Sequence, residues 1–323
     1  MDQASQLRNI IKMNQERPRP LARVITVTSG KGGVGKSNTS INLAIQLKKL
    51  GQRVVILDAD FGLANIEIMF GAVPQFNLSD LIYKGKDITE IITWGPGGIG
   101  FISGGSGIAG LSNLNREYLA YIIRNLAKLD SIADVIIVDT GAGISDAVLE
   151  FLVASSEVLL VTTPEPTSIT DSYSLLKALG RHPRFSNENT KVMMIANKME
   201  KIEEGQILYQ KLNTVVTRYL KMEISYLGTV PQDVQLEKAV MQQMPVSLQN
   251  ENAKSAKAYG KADVSGGRGT CCKKTWYGCV FCTFYRKYTA IKTGENYVDK
   301  IDFTGRKNRI TVDGEKYTGQ RFR

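Results

Sequence analysis

The chain has 323 residues, 43% hydrophobic and 22% charged, enough for one large α/β domain with a buried sheet plus a smaller appendage. No run approaches 18 uninterrupted apolar residues, which excludes a spanning helix, and the first twenty residues lack the apolar core of a signal peptide, so a cytoplasmic location is expected. The net charge of +10 looks like a nucleic-acid signal until it is located: residues 261–323 hold 14 Lys/Arg against 6 Asp/Glu, leaving only +2 for the first 260 residues.

Residues 2–16 read as a short amphipathic helix with Leu7, Ile10 and Ile11 at helical spacing. Pro18 and Pro20 end it, so the segment 1–20 is expected to be a detachable arm. A regular alternation then begins. Apolar runs at 23–29, 53–58, 134–139, 157–162, 191–196 and 225–230 are Val/Ile/Leu-rich on both faces, as strands buried on two sides of a parallel sheet must be. Helical patterns at 36–50, 116–129, 145–154, 168–180, 205–222 and 233–243 separate most of them. The pattern predicts an α/β fold, a doubly wound and mainly parallel sheet with helices on both faces, over residues 21–260. Such sheets bind ligands at the carboxyl ends of their strands. The Gly-rich stretch 95–110 reads as a loop around a short strand (IGFIS), and the lone His182 as a surface loop residue.

After Gly260 the character changes. Residues 261–323 contain no Leu, yet they hold 10 of the chain's 25 aromatics and all four cysteines, Cys271, Cys272, Cys279 and Cys282. This basic tail is read as foreign to the domain, a frameshifted or appended end, with a structured zinc-binding add-on as the alternative.

Gly30–Ser37 reads GKGGVGKS, directly after the strand VITVTS and opening the helix KSNTSINLAIQLKKL. This is the phosphate-binding loop pattern in the context it requires. Its glycines let backbone N–H groups turn inward around phosphate oxygens, and the helix N-terminus adds a favourable dipole. Lys36 is expected to bridge the β- and γ-phosphates and Ser37 to ligate Mg²⁺. The candidate nucleotide-binding set is Gly30, Lys31, Gly32, Gly33, Val34, Gly35, Lys36, Ser37 and Asn38.

The second lysine, Lys31, does not easily reach phosphates held by its own loop. Here KGGVGKS resembles the deviant Walker A motif of the MinD/ParA ATPases. The resemblance implies that Lys31 reaches across an ATP-dependent homodimer to the partner's phosphates. It further implies that Asp139, closing DVIIVD before TGAG, holds Mg²⁺ through water, and that Asp60 (in LDADFGLAN) acts in catalysis and at the metal by positioning the attacking water. Asn197 and the segment Pro231 to Asp233 match the adenine-contacting positions, and TPEPTS (163–168) lies near the family's dimer face. ATP/ADP and Mg²⁺ are the expected cofactors. Phosphoryl transfer needs positioning and charge stabilisation, which lysines and carboxylates supply.

DADFGLANIEIMFG (58–71), VDTGAGIS (138–145) and the N-terminal DQASQLR resemble the flagellar MinD-like ATPases (FlhG, also called YlxH). The resemblance covers residues 2–260 and implies control of the placement and number of flagella. Its implied partners are the FlhF GTPase, activated through Asp2, Gln3, Leu7 and Arg8, and the flagellar C-ring proteins. It also implies peripheral membrane contact through a final amphipathic helix, which AKSAKAYGK starts and DVSGGRGT breaks. Two other readings stay open at this stage: a ParA-like segregation ATPase using the basic tail on nucleic acid, and an iron–sulfur carrier using its cysteines.

Overall fold

A computed structural model describes residues 21–61, 63–105 and 114–262. The N-terminal arm, with Asp2, Gln3, Leu7 and Arg8, and the tail with its four cysteines lie outside the described residues.

The six expected apolar runs are all strands, because each offers hydrophobic side chains to both faces. They are β1 (Arg23–Thr28), β2 (Val54–Ala59), β5 (Val135–Thr140), β6 (Glu157–Thr162), β7 (Lys191–Met199) and β8 (Ile224–Pro231), joined by the short β3 (Thr93–Trp94) and β4 (Gly100–Ile102). One sheet runs β3-β4-β2-β5-β1-β6-β7-β8, parallel throughout except at the β3–β4 edge.

The helices are α1 (Lys36–Lys49), α2 (Asn65–Met69), α3 (Leu78–Tyr83), α4 (Arg116–Leu126), α5 (Asp146–Ala154), α6 (Pro166–Arg181), α7 (Ile202–Leu220), α8 (Val234–Met241), α9 (Val246–Gln249) and α10 (Lys254–Lys261). Ile25, Val27, Ile56, Ile137 and Leu159 face α1 and α10 in one core layer. Alternate residues along the same strands turn to the other face: Val55, Leu57, Ile136 and Val138 meet α4 and α5, while Val158, Leu160, Val192 and Met194 meet α6 and α7. The expected doubly wound α/β fold is therefore present.

Periodicity missed β3, α2, α3 and α9, which have 2, 5, 6 and 4 residues, too few to show a repeat. His182 lies in the bend after α6, partly exposed, and accepts a hydrogen bond from the Arg184 backbone N–H at 3.3 Å. A further correction concerns 253–261. The helix expected there to begin a membrane-binding segment is a core element: Ser255, Ala256 and Tyr259 are buried. Tyr259 joins the apolar layer beneath α1, so the apolar face of this helix is already covered by its own chain.

Candidate nucleotide site

Strand β1 sits between β5 and β6, so the chain winds outward in both directions from it and leaves a crevice at its carboxyl end. The register aligns that end with two acids: Val27 and Asp58 are both paired with Asp139. The phosphate-binding loop leaves β1 here and enters α1, whose N-cap Gly35 makes no side-chain capping bond and whose first turn carries no acid. Those N–H groups are thus left for an anion.

Two glycines of the loop are required by contact. A Cβ on Gly30 would lie 2.2 Å from the backbone carbon of Asp171 in α6, and one on Gly35 would lie 2.4 Å from Asn197 Nδ2. Gly33 and Gly35 also have φ of +74° and +94°. Gly32 and Gly33 are exposed and face open space. Ser29 Oγ donates to the Lys31 carbonyl at 2.7 Å, and Thr39 Oγ1 donates to the Gly35 carbonyl at 2.9 Å, fixing both ends of the loop.

Lys36 is buried, and burial lowers its pKa while the charges of Asp139 and Asp60 oppose the shift. Asp139 is fully buried; burial pushes its carboxyl up to about 6 against the Ser37 and Ser40 hydroxyls and Lys36. Ser40 Oγ donates to Asp139 Oδ1 at 2.8 Å, whereas Oδ2 is buried without a partner. An orphaned buried carboxylate oxygen beside a hydroxyl and an ammonium is a donor set that fits a hydrated Mg²⁺ on phosphate. Asp58, one strand over, is also buried and pushed up to about 8 by burial and the charge of Asp139.

Asp58 shapes the loop that carries Asp60. Its Oδ1 accepts the Asp60 N–H at 3.2 Å and its Oδ2 the Ile66 N–H at 3.0 Å, which starts α2. Half-buried Asp60 accepts from Asn65 Nδ2 at 3.0 Å and stands against Gly141, on the loop after β5. Gly143 of that loop donates its N–H to the Ser29 carbonyl at 3.0 Å. Asp60, Asp139, Lys36 and Ser37 are thus gathered at one place.

Lys31 points elsewhere. Its Nζ lies 2.5 Å from Glu165 Oε2, at the N-cap of α6, and 2.9 Å from Thr167 Oγ1 in the first turn of that helix, an exposed pair within the TPEPTS segment.

At the end of β7, buried Asn197 donates from Nδ2 to the Val34 carbonyl at 2.7 Å, and Lys198 Nζ donates to the Gly33 carbonyl at 2.8 Å. The end of β7 therefore braces the phosphate loop. Val34 itself is core, and the Asn38 carbonyl accepts from Asn42 within α1. Pro231 ends β8 beside Met199. Both Asp233 oxygens serve backbone N–H groups, Oδ1 that of Gln235 and Oδ2 that of Ser255. The sequence reading missed Ser40, Lys198 and Ser255 as partners of the site, and named Glu165 only as part of the TPEPTS segment. Of the three missed, Ser40 alone carried a local signal, lying one turn beyond Ser37 on α1.

Comparison with known proteins agrees with this geometry. Residues 25–246 match the family model described as the CobQ/CobB/MinD/ParA nucleotide binding domain. The chain is 40% identical over 237 residues to the antiactivator FleN of Pseudomonas aeruginosa, covering 73% of this chain and 83% of that protein. It is 36% identical over 247 residues to the flagellum site-determining protein YlxH of Helicobacter pylori, covering 74% and 81%. In fold it is similar to the septum site-determining protein MinD of Pyrococcus horikoshii, solved with Mg-ADP, at a TM-score of 0.62 and 21% identity over 75% of this chain and 94% of that one. No described helix is long and apolar enough to cross a membrane. The chain belongs to the MinD/ParA family of P-loop ATPases, on the side of its flagellar relatives FleN and YlxH.

Proposed function

We propose that this ATPase is a dimerising switch, closed by ATP and opened by hydrolysis, that acts in the control of flagellar placement and number. The observation that carries the switch is the pair of lysines in one loop. Lys36 is buried among Asp60 and Asp139, where the phosphate charge would lie, while Lys31 stands in an exposed pair with Glu165 and Thr167. A lysine that is not needed at its own phosphate floor, and is held only by a surface contact, is free to serve a partner's site.

In this reading the loop from Gly30 to Ser37 holds the phosphates, with Lys36 bridging the β- and γ-phosphates. Ser37 and, through water, Asp139 would hold Mg²⁺, which when bound would supply positive charge against that developing on the phosphates. Asp60 accepts a hydrogen bond from the attacking water and orients it, its own position set by Asn65 and by the loop that Asp58 shapes. Asn197 and the backbone at Pro231 face the adenine. The flagellar role is supported by the relatives named antiactivator FleN and flagellum site-determining protein YlxH. The arm bearing Asp2, Gln3, Leu7 and Arg8 is assigned to an FlhF-type GTPase by its likeness to the DQAxxLR motif, with the C-ring proteins as further partners.

The test is the oligomeric state. Asp60→Ala keeps the phosphate loop and removes the group that orients water, so with MgATP it is expected to elute as a stable dimer and with MgADP as a monomer. Identical elution in both nucleotides sinks the switch.

A further inference from the structure

Resting on the reading above that this crevice binds adenine nucleotide, a second feature of the crevice is the way its base end is held. The loop from Pro231 to Asp233 ends β8 at the edge of the sheet, held on one side by the Gln232 N–H, which donates to the Met199 carbonyl at 2.8 Å, and on the other by a side chain. Asp233 does this with both oxygens. Oδ1 caps α8 by accepting the Gln235 N–H at 2.9 Å, and Oδ2 accepts both the N–H and the hydroxyl of Ser255, at 2.9 and 2.8 Å.

Ser255 is fully buried in the first turn of α10. The N-cap of that helix is Ala253, which has no side-chain acceptor, and its first turn contains no acid. Asp233, 22 residues upstream, therefore supplies both the missing cap and the missing negative charge. Burial works against the ionised carboxylate, yet the Ser255 and Gln235 donors outweigh it and keep the carboxyl below its ordinary value.

The other side of α10 rests on the phosphate-loop helix. Gln46 Nε2 of α1 donates to the Ala256 carbonyl at 3.3 Å, and Gly260 leaves just enough room for the Gln46 side chain. Tyr259 is buried at Thr39, whose hydroxyl holds the Gly35 carbonyl at the end of the phosphate loop. The base loop and the phosphate-loop helix are thus joined through α10.

We propose that Asp233 is a positioning residue for adenine rather than a contact to it: it ties the base loop to α10 at Ser255, and α10 sets the distance from base to phosphate by resting on α1. Selectivity for adenine then depends on Ser255, which lies outside the crevice and is fully buried.

Titration calorimetry on the full chain tests this, using MgADP, MgGDP and magnesium pyrophosphate, which has no base. Asp233→Asn retains the α8 cap but sets an amide N–H against the Ser255 donors. It is expected to weaken MgADP about tenfold, the scale of one charge-assisted hydrogen bond, with pyrophosphate unchanged and the ADP-over-GDP ratio reduced by a similar factor. Ser255→Ala, which loses only the hydroxyl contact and keeps the fold, is expected to move the ratio the same way by about threefold. The double variant should be no weaker than Asp233→Asn alone, since both break one coupled contact. A merely structural role would weaken pyrophosphate equally. If Ser255→Ala leaves the ratio unchanged, or the two effects add, Asp233 touches the base directly and the proposal is overturned. Absence of MgADP binding by the unaltered protein would instead overturn the nucleotide-site reading on which it stands.

Discussion

The two ends of the crevice are built on opposite plans. At the phosphate end, charged groups are buried with valences left over: Lys36 has no ion-pair partner at salt-bridge distance among the described residues, and Asp139 keeps an oxygen with no partner at all. At the base end the polar groups are already spent on the protein's own backbone, Asn197 on Val34, Lys198 on Gly33 and Asp233 on Gln235 and Ser255. The phosphate end pays in stability for a ligand it awaits, whereas the base end is architecture that also presents a surface. Mutations at the two ends should therefore differ in whether nucleotide must be present for the effect to show.

The largest effect is expected at the phosphate end, at Gly30, where the loop is seated against α6. A methyl group there would sit 2.2 and 2.3 Å from the Asp171 carbonyl carbon and oxygen, backbone of a packed helix that cannot yield locally. Gly30→Ala should cost at least about 3 kcal/mol in chemical denaturation and abolish MgADP binding. Gly32→Ala, two residues on, meets no atom within 4 Å and should remain within about 0.5 kcal/mol of the parent. Equal behaviour of the two variants would mean that the loop is not seated against α6.

Next in size is the contrast between Asn197 and Asp139. Asn197→Ala leaves the buried Val34 carbonyl without its donor and should cost about 1–3 kcal/mol with no nucleotide present. Asp139→Asn should do the reverse. The folded carboxyl titrates near 6 and the unfolded one near 3.9, so the folded state holds its proton more tightly. Stability contributed by that proton is present at acid pH and is lost as pH rises through about 6, with Asp58 extending the loss toward about 8. At pH 7.5, in EDTA and without nucleotide, Asp139→Asn should therefore be more stable than the parent, on the order of 1–3 kcal/mol, and its stability should fall less between pH 5 and 7.5. Added MgADP should then stabilise the parent and not the variant. A variant less stable than the parent in EDTA would place Asp139 among the structural groups and erase the distinction between the two ends.

The same distinction explains what the sequence could and could not reveal. Phosphate-end chemistry is local: eight consecutive residues between a strand and a helix specify the loop, and acids at the ends of apolar runs fall beside it because parallel strands align their carboxyl ends. Base-end chemistry is remote. Asn197 meets Val34 across 163 positions and Asp233 meets Ser255 across 22, and neither pairing leaves a pattern in either segment. The helix at 254–261 shows the cost of reading one segment alone. Its alternation of Ala, Lys and Tyr fits a surface-seeking helix, and only the space beneath α1 reveals that Tyr259 and Ala256 are core.

The smallest expected effect on the isolated subunit is also the one that most directly sorts the two lysines of the phosphate loop. Lys31 contacts Glu165 and Thr167 at the surface, where solvent and salt screen the pair, so Lys31→Ala should leave the unfolding midpoint of the nucleotide-free protein where it is. Lys36 is different in kind: its ammonium is buried at the start of α1 against Asp139 and Asp60, and only phosphate would complete its environment. Lys36→Ala should therefore abolish MgADP binding by the subunit. In the proposed switch, Lys31→Ala should leave that affinity unchanged and remove only ATP-dependent dimerisation. Calorimetry with MgADP separates the possibilities without requiring a dimer to form. If Lys31→Ala and Lys36→Ala lose ADP affinity to the same extent, both lysines serve one subunit's phosphates. The exposed pair with Glu165 would then be a resting position of a cis ligand, and the switch would need another residue to sense its partner.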